Sequence, residues 1–282
     1  MRLATLRTGD GTRAVRVDGD RVVALPHGDV GALMASGDDW AERARAARGP
    51  SRRLREGDLA PVVTRPAKIV CLGLNYRTHI REMGHELPEH PTLFAKFARA
   101  LTGPRDPVVL PAASTAVDWE AELAFVIGRE VRSAGREEAA AAIAGFTVLN
   151  DVSMRDWQWR TTQWLQGKTF ERCTPVGPWL VTPDEVVADA TVTPDLEIRC
   201  EVDGDVMQRA RTADLLFGPV DIVRYLSSIV TLEPGDLVTT GTPGGVGAGR
   251  DPRVFLRPGQ VVRTVVVGVG ELVNHLVEGG GS

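Results

Sequence analysis

The chain has 282 residues with 43% hydrophobic and 25% charged content, which suits one large domain, or one domain with a small appendage, and argues against disorder. A net charge of −4 without a basic stripe predicts no nucleic-acid partner, and the lack of a long apolar run predicts neither secretion nor a membrane span. The three scattered cysteines, Cys71, Cys173 and Cys200, lack the spacing of a disulfide framework or a thiolate zinc site and fit a cytoplasmic location.

The first sixty or so residues are predicted to form a small leading module. Short strands separated by Gly-containing turns occupy 1–26, and a helix is predicted over 29–48. The segment from Pro50 to Pro66 is rich in charge and proline and is typical of a linker. We therefore predict a small N-terminal α/β module over 1–62 and a main domain over 67–279.

The rest of the chain is predicted to contain many strands and few helices. Strand-like segments occur at 68–73, 92–97, 107–110, 119–127, 146–151, 178–182, 195–202, 206–210, 236–240 and 261–268. Two helices are predicted, over 136–144 and 219–229, and the second has an apolar stripe with Pro219 in its first turn. Because strands and helices do not alternate regularly, we predict a β-rich α+β fold and not a doubly wound sheet.

A polar segment after the first of these strands carries a candidate proton-transfer pair. If Asn75–Glu82 is helical, His79 and Glu82 stand at positions i and i+3 and share a face. A carboxylate that holds one imidazole nitrogen raises the basicity of the other, which can then take a proton from water. The alternative is a surface helix on which the two side chains meet incidentally.

Two acidic side chains at the start of the 119–127 strand suggest a metal site. Glu120 and Glu122 are two residues apart, so in a strand they face the same way and need a positive partner. Asp151 ends the 146–151 strand, and three carboxylates without histidine or thiolate suit Mg²⁺, Mn²⁺ or Ca²⁺ better than Zn²⁺. The alternatives are a solvated strand edge for the glutamates and a helix N-cap for Asp151, with Ser153 as a second candidate cap.

Two later segments could contact a substrate. Lys168, between a glycine and Thr169-Phe170, could be partly buried and stabilise an enolate or oxyanion, or could be an ordinary surface lysine. The Gly-rich segment 239–247 lacks the lysine of a phosphate-binding loop. It could present backbone N–H groups and a Thr hydroxyl to a carboxylate, or could be a plain turn.

The order of these motifs resembles that of the fumarylacetoacetate hydrolase superfamily. The chain contains Asn-Tyr-x-x-His-x-x-Glu, Glu-x-Glu, Asp followed by Arg-Asp-x-Gln, Gly-Lys-x-Phe and Gly-Thr-Pro-x-Gly-Val-Gly, in that order. The resemblance runs from about Lys68 to His275 and is nearest to the branch of domain-containing proteins and acylpyruvate hydrolases.

The resemblance implies a fold, an assembly and a set of site residues. It implies a mixed β-sandwich roll that forms homodimers. The metal ligands it implies for Mg²⁺ or Mn²⁺ are Glu120, Glu122 and Asp151. The catalytic residues it implies are the water-activating pair His79 and Glu82, together with Lys168 near the metal. The substrate-binding residues it implies are Arg155, Gln158 and Thr242.

These residues predict a divalent-metal-dependent enzyme that acts on a small 2-oxo acid. Our first interpretation is hydrolysis of a C–C bond in a 2,4-dioxo acid, because His79 with Glu82 is needed most for adding water. The alternatives are decarboxylation of an oxaloacetate-type acid, keto–enol isomerisation, and a non-enzymatic metal-binding module. The cluster Trp157, Trp159 and Trp164 predicts a larger or more aromatic pocket and leaves the substrate open.

Overall fold

The computed structural model describes residues 1–82, 84, 86–187, 189 and 193–279. Within these ranges the chain forms eighteen strands and seven α-helices, which confirms the predicted β-rich α+β class. The strands are β1 Arg2–Thr8, β2 Gly11–Asp18, β3 Arg21–Ala24, β4 Ser51–Arg53, β5 Ile69–Gly73, β6 Thr92–Lys96, β7 Leu101–Thr102, β8 Val108–Leu110, β9 Val117–Asp118, β10 Ala121–Ile127, β11 Ile143–Asn150, β12 Ser153–Met154, β13 Thr174–Val181, β14 Glu197–Val202, β15 Asp205–Arg211, β16 Leu237–Thr239, β17 Val261–Val266 and β18 Gly270–Glu278. The α-helices are α1 Val30–Met34, α2 Trp40–Ala46, α3 Arg77–Glu82, α4 Arg136–Ala142, α5 Arg155–Gln158, α6 Leu165–Lys168 and α7 Pro219–Ile229.

The larger sheet runs through both predicted parts of the chain. Its order is β4-β3-β2-β1-β13-β11-β10-β16-β5-β6, with β7 beside β13. The joint lies where β1 pairs antiparallel with β13, and Val62 and Val63 from the predicted linker are buried in the same core. The leading strands therefore extend the main sheet, and the division between residues 62 and 67 stays a prediction.

A smaller sheet packs on the larger one and completes the sandwich. Its order is β15-β14-β17-β18-β8, and β18 and β17 contact β13 and β11 of the larger sheet. Most strand pairs are antiparallel, while β16 with β5, β13 with β7 and β18 with β8 are parallel. The shared core includes Leu123 and Phe125 from one sheet and Ile198 and Val266 from the other.

The central strands β10 and β11 are buried along their whole length. In β10, Leu123 and Phe125 face the sandwich core, while Ala124 and Val126 face a second core beneath the leading helices. A strand that is covered on both faces reads as a continuous apolar run, which is what the sequence shows here. Any charged side chain at the end of such a strand is drawn into the protein together with it.

Several helix and strand boundaries differ from those predicted from sequence patterns. The helix predicted over 29–48 is two helices, because Gly37 adopts a φ of 133° that breaks the helical path. The predicted helix 136–144 ends at Ala142, and the chain enters β11 directly at Ile143. Strand β18 escaped sequence analysis, whereas the helix over 219–229 is confirmed. In the described part of the chain, no helix is both long and apolar enough to cross a membrane.

Candidate active site

Three carboxylates meet where β10 begins and β11 ends. The two strands are antiparallel with Ala121 opposite Asn150, so Glu120 just before β10 lies beside Asp151 just after β11. The backbone N–H of Asp151 donates to the carbonyl of Glu120 at 2.9 Å. One oxygen each from Glu120, Glu122 and Asp151 lies within 4.8 Å of the others. The structure thus brings together the three acids that the sequence places in one space.

The N-cap alternative for Asp151 is wrong. Helix α5 is preceded by Met154, without a side-chain cap, and Asp151 is fully buried. The Asp151 carboxylate instead accepts hydrogen bonds from two ammonium groups, from Lys96 to one oxygen and from Lys168 to the other at 2.9 Å. Burial opposes ionisation of Asp151, but the charges of Lys168 and Lys96 outweigh it and lower the pKa of this carboxyl to about 2.

Glu120 has two cationic partners of its own. The Lys168 ammonium lies 2.6 Å from its Oε2, and the Arg155 guanidinium lies 2.6 Å from its Oε1. Lys168 is buried, so the alternative of a surface lysine is wrong. Burial acts against the charged form of Lys168, yet the carboxylates of Asp151 and Glu120 raise its pKa above the usual range. Lys168 therefore stays an ammonium group beside the acids.

Among the residues that the structure describes, none forms an ion pair with Glu122, unlike the other two acids of the trio. Its Oε2 accepts from the Gly241 N–H at 2.9 Å, but its buried Oε1 has no hydrogen-bond partner among the described residues. Burial, followed by the charges of Asp151 and Glu120, raises the pKa of Glu122 well above its usual range; the nearby Thr239 hydroxyl and Lys168 oppose this only in part. An orphaned carboxylate oxygen facing two other acids fits a hard divalent cation.

His79 and Glu82 both belong to helix α3, as predicted, and both line the cavity above the acids. Their polar ends converge at Gly244, where an added Cβ would lie 3.1 Å from Nδ1 of His79 and 3.1 Å from Oε2 of Glu82. Burial lowers the pKa of His79 below its ordinary value, although the charges of Glu82 and Glu120 act in the opposite direction. The imidazole is therefore mostly neutral at pH 7 and can accept a proton.

The predicted substrate-binding residues line the same cavity, but each already has a protein partner. Arg155 donates from Nε to Asp118 at 2.9 Å and from a terminal nitrogen to the Gln158 side-chain oxygen at 2.8 Å. The Thr242 hydroxyl accepts from Gln208 at 2.8 Å. In the Gly-rich segment, the Gly241 N–H points at Glu122 of the protein itself. Direct contact of Arg155, Gln158 and Thr242 with substrate stays a prediction.

Sequence analysis assigned no site role to three buried residues near the site, Asp118, Lys96 and Gln208. Asp118 accepts from the N–H groups of Gly247 and Ala248 at 2.7 and 2.9 Å, so it ties Arg155 to the Gly-rich segment. The sequence could have indicated Asp118 and Lys96 as buried site residues, since each is a charged residue inside or beside a predicted strand. It could not have indicated Gln208, because the hydrogen-bond partners of Gln208 lie on other parts of the chain.

The cavity has a volume of about 420 Å³. Trp159 and Trp164 line it, while Trp157 does not. The Trp157 ring packs against Phe170 with 5.3 Å between the centroids, and its indole N–H donates to the Ala113 carbonyl at 2.9 Å. Two of the three clustered tryptophans thus make one side of the pocket aromatic.

The chain is similar to known proteins over most of its length. The model of the fumarylacetoacetate (FAA) hydrolase C-terminal family matches residues 68–277, a range that contains every side chain of the site. The chain is 45% identical over 239 residues to the human protein named oxaloacetate tautomerase FAHD2A, mitochondrial, and the match covers 84% of this chain and 75% of the relative.

Solved structures share the whole architecture. The 5-carboxymethyl-2-hydroxymuconate delta-isomerase from Mycobacterium smegmatis superposes with a TM-score of 0.80 at 34% identity, over 100% of both chains. The fumarylacetoacetate hydrolase from Exiguobacterium antarcticum superposes with a TM-score of 0.84 at 28% identity, over 99% of this chain and 100% of the other. The mixed β-sandwich roll predicted from the motifs is confirmed by these superpositions.

Proposed function

Because the chain belongs to the fumarylacetoacetate hydrolase family, we propose that it catalyses keto–enol tautomerisation of a 2-oxo acid of the oxaloacetate class at a divalent metal centre. The relative with 45% identity is named an oxaloacetate tautomerase, and one full-length structural match is named an isomerase. These similarities support tautomerisation, an alternative in the sequence-based prediction, better than C–C hydrolysis.

The observation that carries the proposal is a neutral base and a buried cation on the walls of one cavity. Tautomerisation moves one proton between the carbon next to a carbonyl and the carbonyl oxygen, and no bond between heavy atoms breaks. His79, which burial keeps neutral, can take the proton from that carbon. Lys168 can donate a hydrogen bond to the oxygen as negative charge grows there.

The acidic trio would hold the divalent metal ion. Glu120, Glu122 and Asp151 form a carboxylate set that suits Mg²⁺ or Mn²⁺, and when bound such an ion supplies positive charge that favours the enolate form of a 2-oxo acid. Arg155 and Gln158 are held together at 2.8 Å on one wall, where they can bind and orient the substrate carboxylate.

Charge balance at the centre also favours a dication. The buried acids are Asp118, Glu120, Glu122 and Asp151. The buried cations packed against them are Lys96, Arg155 and Lys168. The acids outnumber the cations by one, so a dication leaves the centre with one positive charge, which attracts an anionic substrate.

The test is the decay of enol-oxaloacetate absorbance in the ultraviolet. The protein with Mg²⁺ or Mn²⁺ should accelerate the decay, EDTA should remove the acceleration, and neither pyruvate nor CO₂ should accumulate in proportion. The double variant Glu120→Ala with Glu122→Ala should abolish the acceleration of the decay. If the double variant tautomerises at the wild-type rate, a metal centre at these residues is not involved.

Hydrolysis of a 2,4-dioxo acid is the second candidate. It is favoured by Glu82 beside His79, because a carboxylate–imidazole pair suits the activation of water, and by the superposition on a hydrolase at a TM-score of 0.84. Acylpyruvates incubated with the metal-loaded protein would release pyruvate and a carboxylic acid if this is the main reaction. Release of CO₂ from oxaloacetate would instead indicate the decarboxylase.

Location and assembly complete the proposal. We propose a homodimer in the cytoplasm, on the grounds of the family resemblance and of three free, buried cysteines. The name of the human relative includes the word mitochondrial, so a mitochondrial location is the competing proposal. Light scattering of the purified chain, and fractionation of the cells that express it, test the two statements separately.

A further inference from the structure

The lining of the active-site cavity has a large apolar part that has no use in the reaction proposed above. Its polar part includes Glu120, Arg155, Lys168 and His79. Its apolar part includes four large side chains, here called the apolar wall: Leu74, Phe94, Trp159 and Trp164. Apart from the two indole N–H groups, these side chains offer no polar atom. A four-carbon diacid in a cavity of about 420 Å³ would leave them without a substrate contact.

The wall is preformed at its centre. The Trp164 ring lies over Gly73, where an added Cβ would come within 2.3 Å of a ring carbon. Trp164 also meets Phe94 edge to face, with 5.7 Å between the ring centroids. Since the ring is held from two sides, binding an apolar group against it requires little ordering of the wall.

Leu74 supports a binding role by its conformation. It has a φ of 53°, in the left-handed region that glycine and asparagine adopt more readily than leucine. The residue is nevertheless 37% exposed and lines the cavity, so core packing does not explain the choice of leucine. Strained backbone at a cavity wall is typical of ligand-binding positions.

Trp159 extends the wall to the rim of the cavity. It is 53% exposed, and the Arg253 guanidinium lies 5.4 Å from the centroid of its ring. A large indole that is half in solvent gains little from the fold. It would gain from covering an apolar ligand.

The wall begins next to the reacting groups. The Lys168 ammonium lies 5.0 Å from the centroid of the Phe94 ring, so the apolar wall starts beside the group that would face the substrate oxygen. A substituent that reaches the wall must therefore be attached close to the carbonyl, at the carbon that gains or loses the proton.

We infer that the preferred substrate is a 2-oxo acid with an aromatic ring on the carbon next to its carbonyl, an arylpyruvate-type acid, and that the apolar wall binds the ring. The inference rests on the proposed tautomerase function and changes its preferred substrate from an oxaloacetate-class acid to an arylpyruvate-type acid. The reaction balances as before: one proton leaves that carbon and one is added to the oxygen, with no change in oxidation state.

The experiment compares the enol forms of phenylpyruvate and oxaloacetate on the full chain with saturating Mg²⁺. Wild-type kcat/KM should be about tenfold higher for phenylpyruvate, the usual size of an apolar-pocket preference. Trp159→Ala and Leu74→Asn should each lower the phenylpyruvate-to-oxaloacetate ratio of kcat/KM by about tenfold. Asparagine tolerates the left-handed conformation, so Leu74→Asn should still fold. The matched control is Trp157→Ala, outside the cavity, which should keep the wild-type ratio.

The outcomes separate this inference from the function on which it rests. Turnover of oxaloacetate with an equal or lower kcat/KM for phenylpyruvate, or an unchanged ratio in both wall variants, overturns the inference and leaves the tautomerase proposal standing. If neither acid is tautomerised, the proposed function fails, and calorimetry with the two keto acids then decides the binding claim. Tighter binding of phenylpyruvate, lost in Trp159→Ala, supports the wall, and equal binding rejects it.

Discussion

The ammonium nitrogen of Lys168 lies 2.6 Å from Oε2 of Glu120, a carboxylate that also belongs to the candidate metal site. The same nitrogen lies 2.9 Å from Asp151. Lys168 and a bound metal ion would thus share the carboxylates of Glu120 and Asp151, and both would act on charge in the same small volume. This places Lys168 beside any cation that the acids hold, which is where an enolate oxygen would develop its charge.

Replacing Lys168 with methionine should separate its two effects. Turnover should fall by about 10²- to 10³-fold, because a buried donor to the developing oxyanion is lost. Affinity for Mn²⁺ should rise, because Glu120 and Asp151 lose a competing cation and retain their charge. Activity assays and calorimetry with Mn²⁺ measure the two effects.

The control is Lys68→Met, because Lys68 is one of only three lysines in the chain and pairs with Glu233 and Asp236 away from the cavity. The Lys68→Met variant should change neither the turnover nor the affinity for Mn²⁺. Weaker Mn²⁺ binding by Lys168→Met would mean that the lysine supports the ion and does not compete with it.

Glu122 should destabilise the protein when no metal is bound. Its pKa is raised by burial and by neighbouring acids, so the group costs stability above its ordinary pKa; as pH falls, that cost starts to shrink at the raised value and is gone only below the ordinary one. Glu122→Gln should therefore raise the Tm of the EDTA-treated protein at pH 7.5, by an amount that corresponds to about 1–3 kcal/mol. The Tm increase on adding Mg²⁺ should shrink or vanish.

Thermal melts with EDTA and with Mg²⁺ measure both parts of this prediction. Glu171→Gln is a suitable control, since Glu171 forms an exposed pair with Arg99 and should leave the Mg²⁺ response unchanged. A lower Tm for metal-free Glu122→Gln would show that the carboxylate has a stabilising partner already.

The pairs Glu120/Glu122 and His79/Glu82 were predictable because each follows a local rule, whereas Asp151 was predicted from its place at the end of a strand and from the family resemblance. Strand periodicity places Glu120 and Glu122 together, and helix periodicity places His79 and Glu82 together. The cations that complete the site were harder to find. Lys96 meets Asp151 across 55 positions of sequence, and no period within one segment reports a contact between two segments. The sequence thus predicts which acids gather, while the tertiary fold decides which cations neutralise them.

The fold shows the same limit. Alternation and short apolar runs identify most strands, but the pairing of β1 with β13 joins residues about 180 positions apart in the chain, and sequence patterns did not predict it. The two-part helix was mispredicted because the composition of 29–48 favours helix while the single backbone angle at Gly37 interrupts it. Composition averages over a segment, and one residue with a positive φ is enough to divide it.

Activity should depend on pH through His79. Because burial lowers the pKa of His79, the imidazole should be neutral and the rate maximal at pH 7 and above. As pH falls, protonation removes the base, and the rate should drop with a midpoint below 6.5. The tautomerisation rate measured from pH 5 to 8 with saturating Mn²⁺ gives this midpoint.

The metal site also contains Glu122, whose pKa is raised by burial, so Mn²⁺ occupancy must be measured by calorimetry in the same buffers. His79→Asn should show a low rate without this acid limb. If its residual activity has the same midpoint as the wild type, or if the wild-type midpoint lies above 6.5, then His79 is not the group that titrates.

Gly167 sets the distance between the two short helices that carry Arg155 and Lys168. An added Cβ at Gly167 would lie 2.4 Å from the backbone nitrogen of Gln158 and 2.6 Å from its Cα, so backbone and not a flexible side chain must move. Gly167→Ala should therefore lower the free energy of unfolding by about 1–3 kcal/mol and, by shifting Lys168, reduce kcat more than tenfold.

Gly28→Ala is the matched control, because Gly28 has no heavy atom within 4 Å of its added Cβ and should retain wild-type kcat. Denaturant melts and steady-state assays of both variants check this. A normal kcat in a destabilised Gly167→Ala protein would show that Lys168 keeps its place, and that the close approach of the two helices serves stability alone.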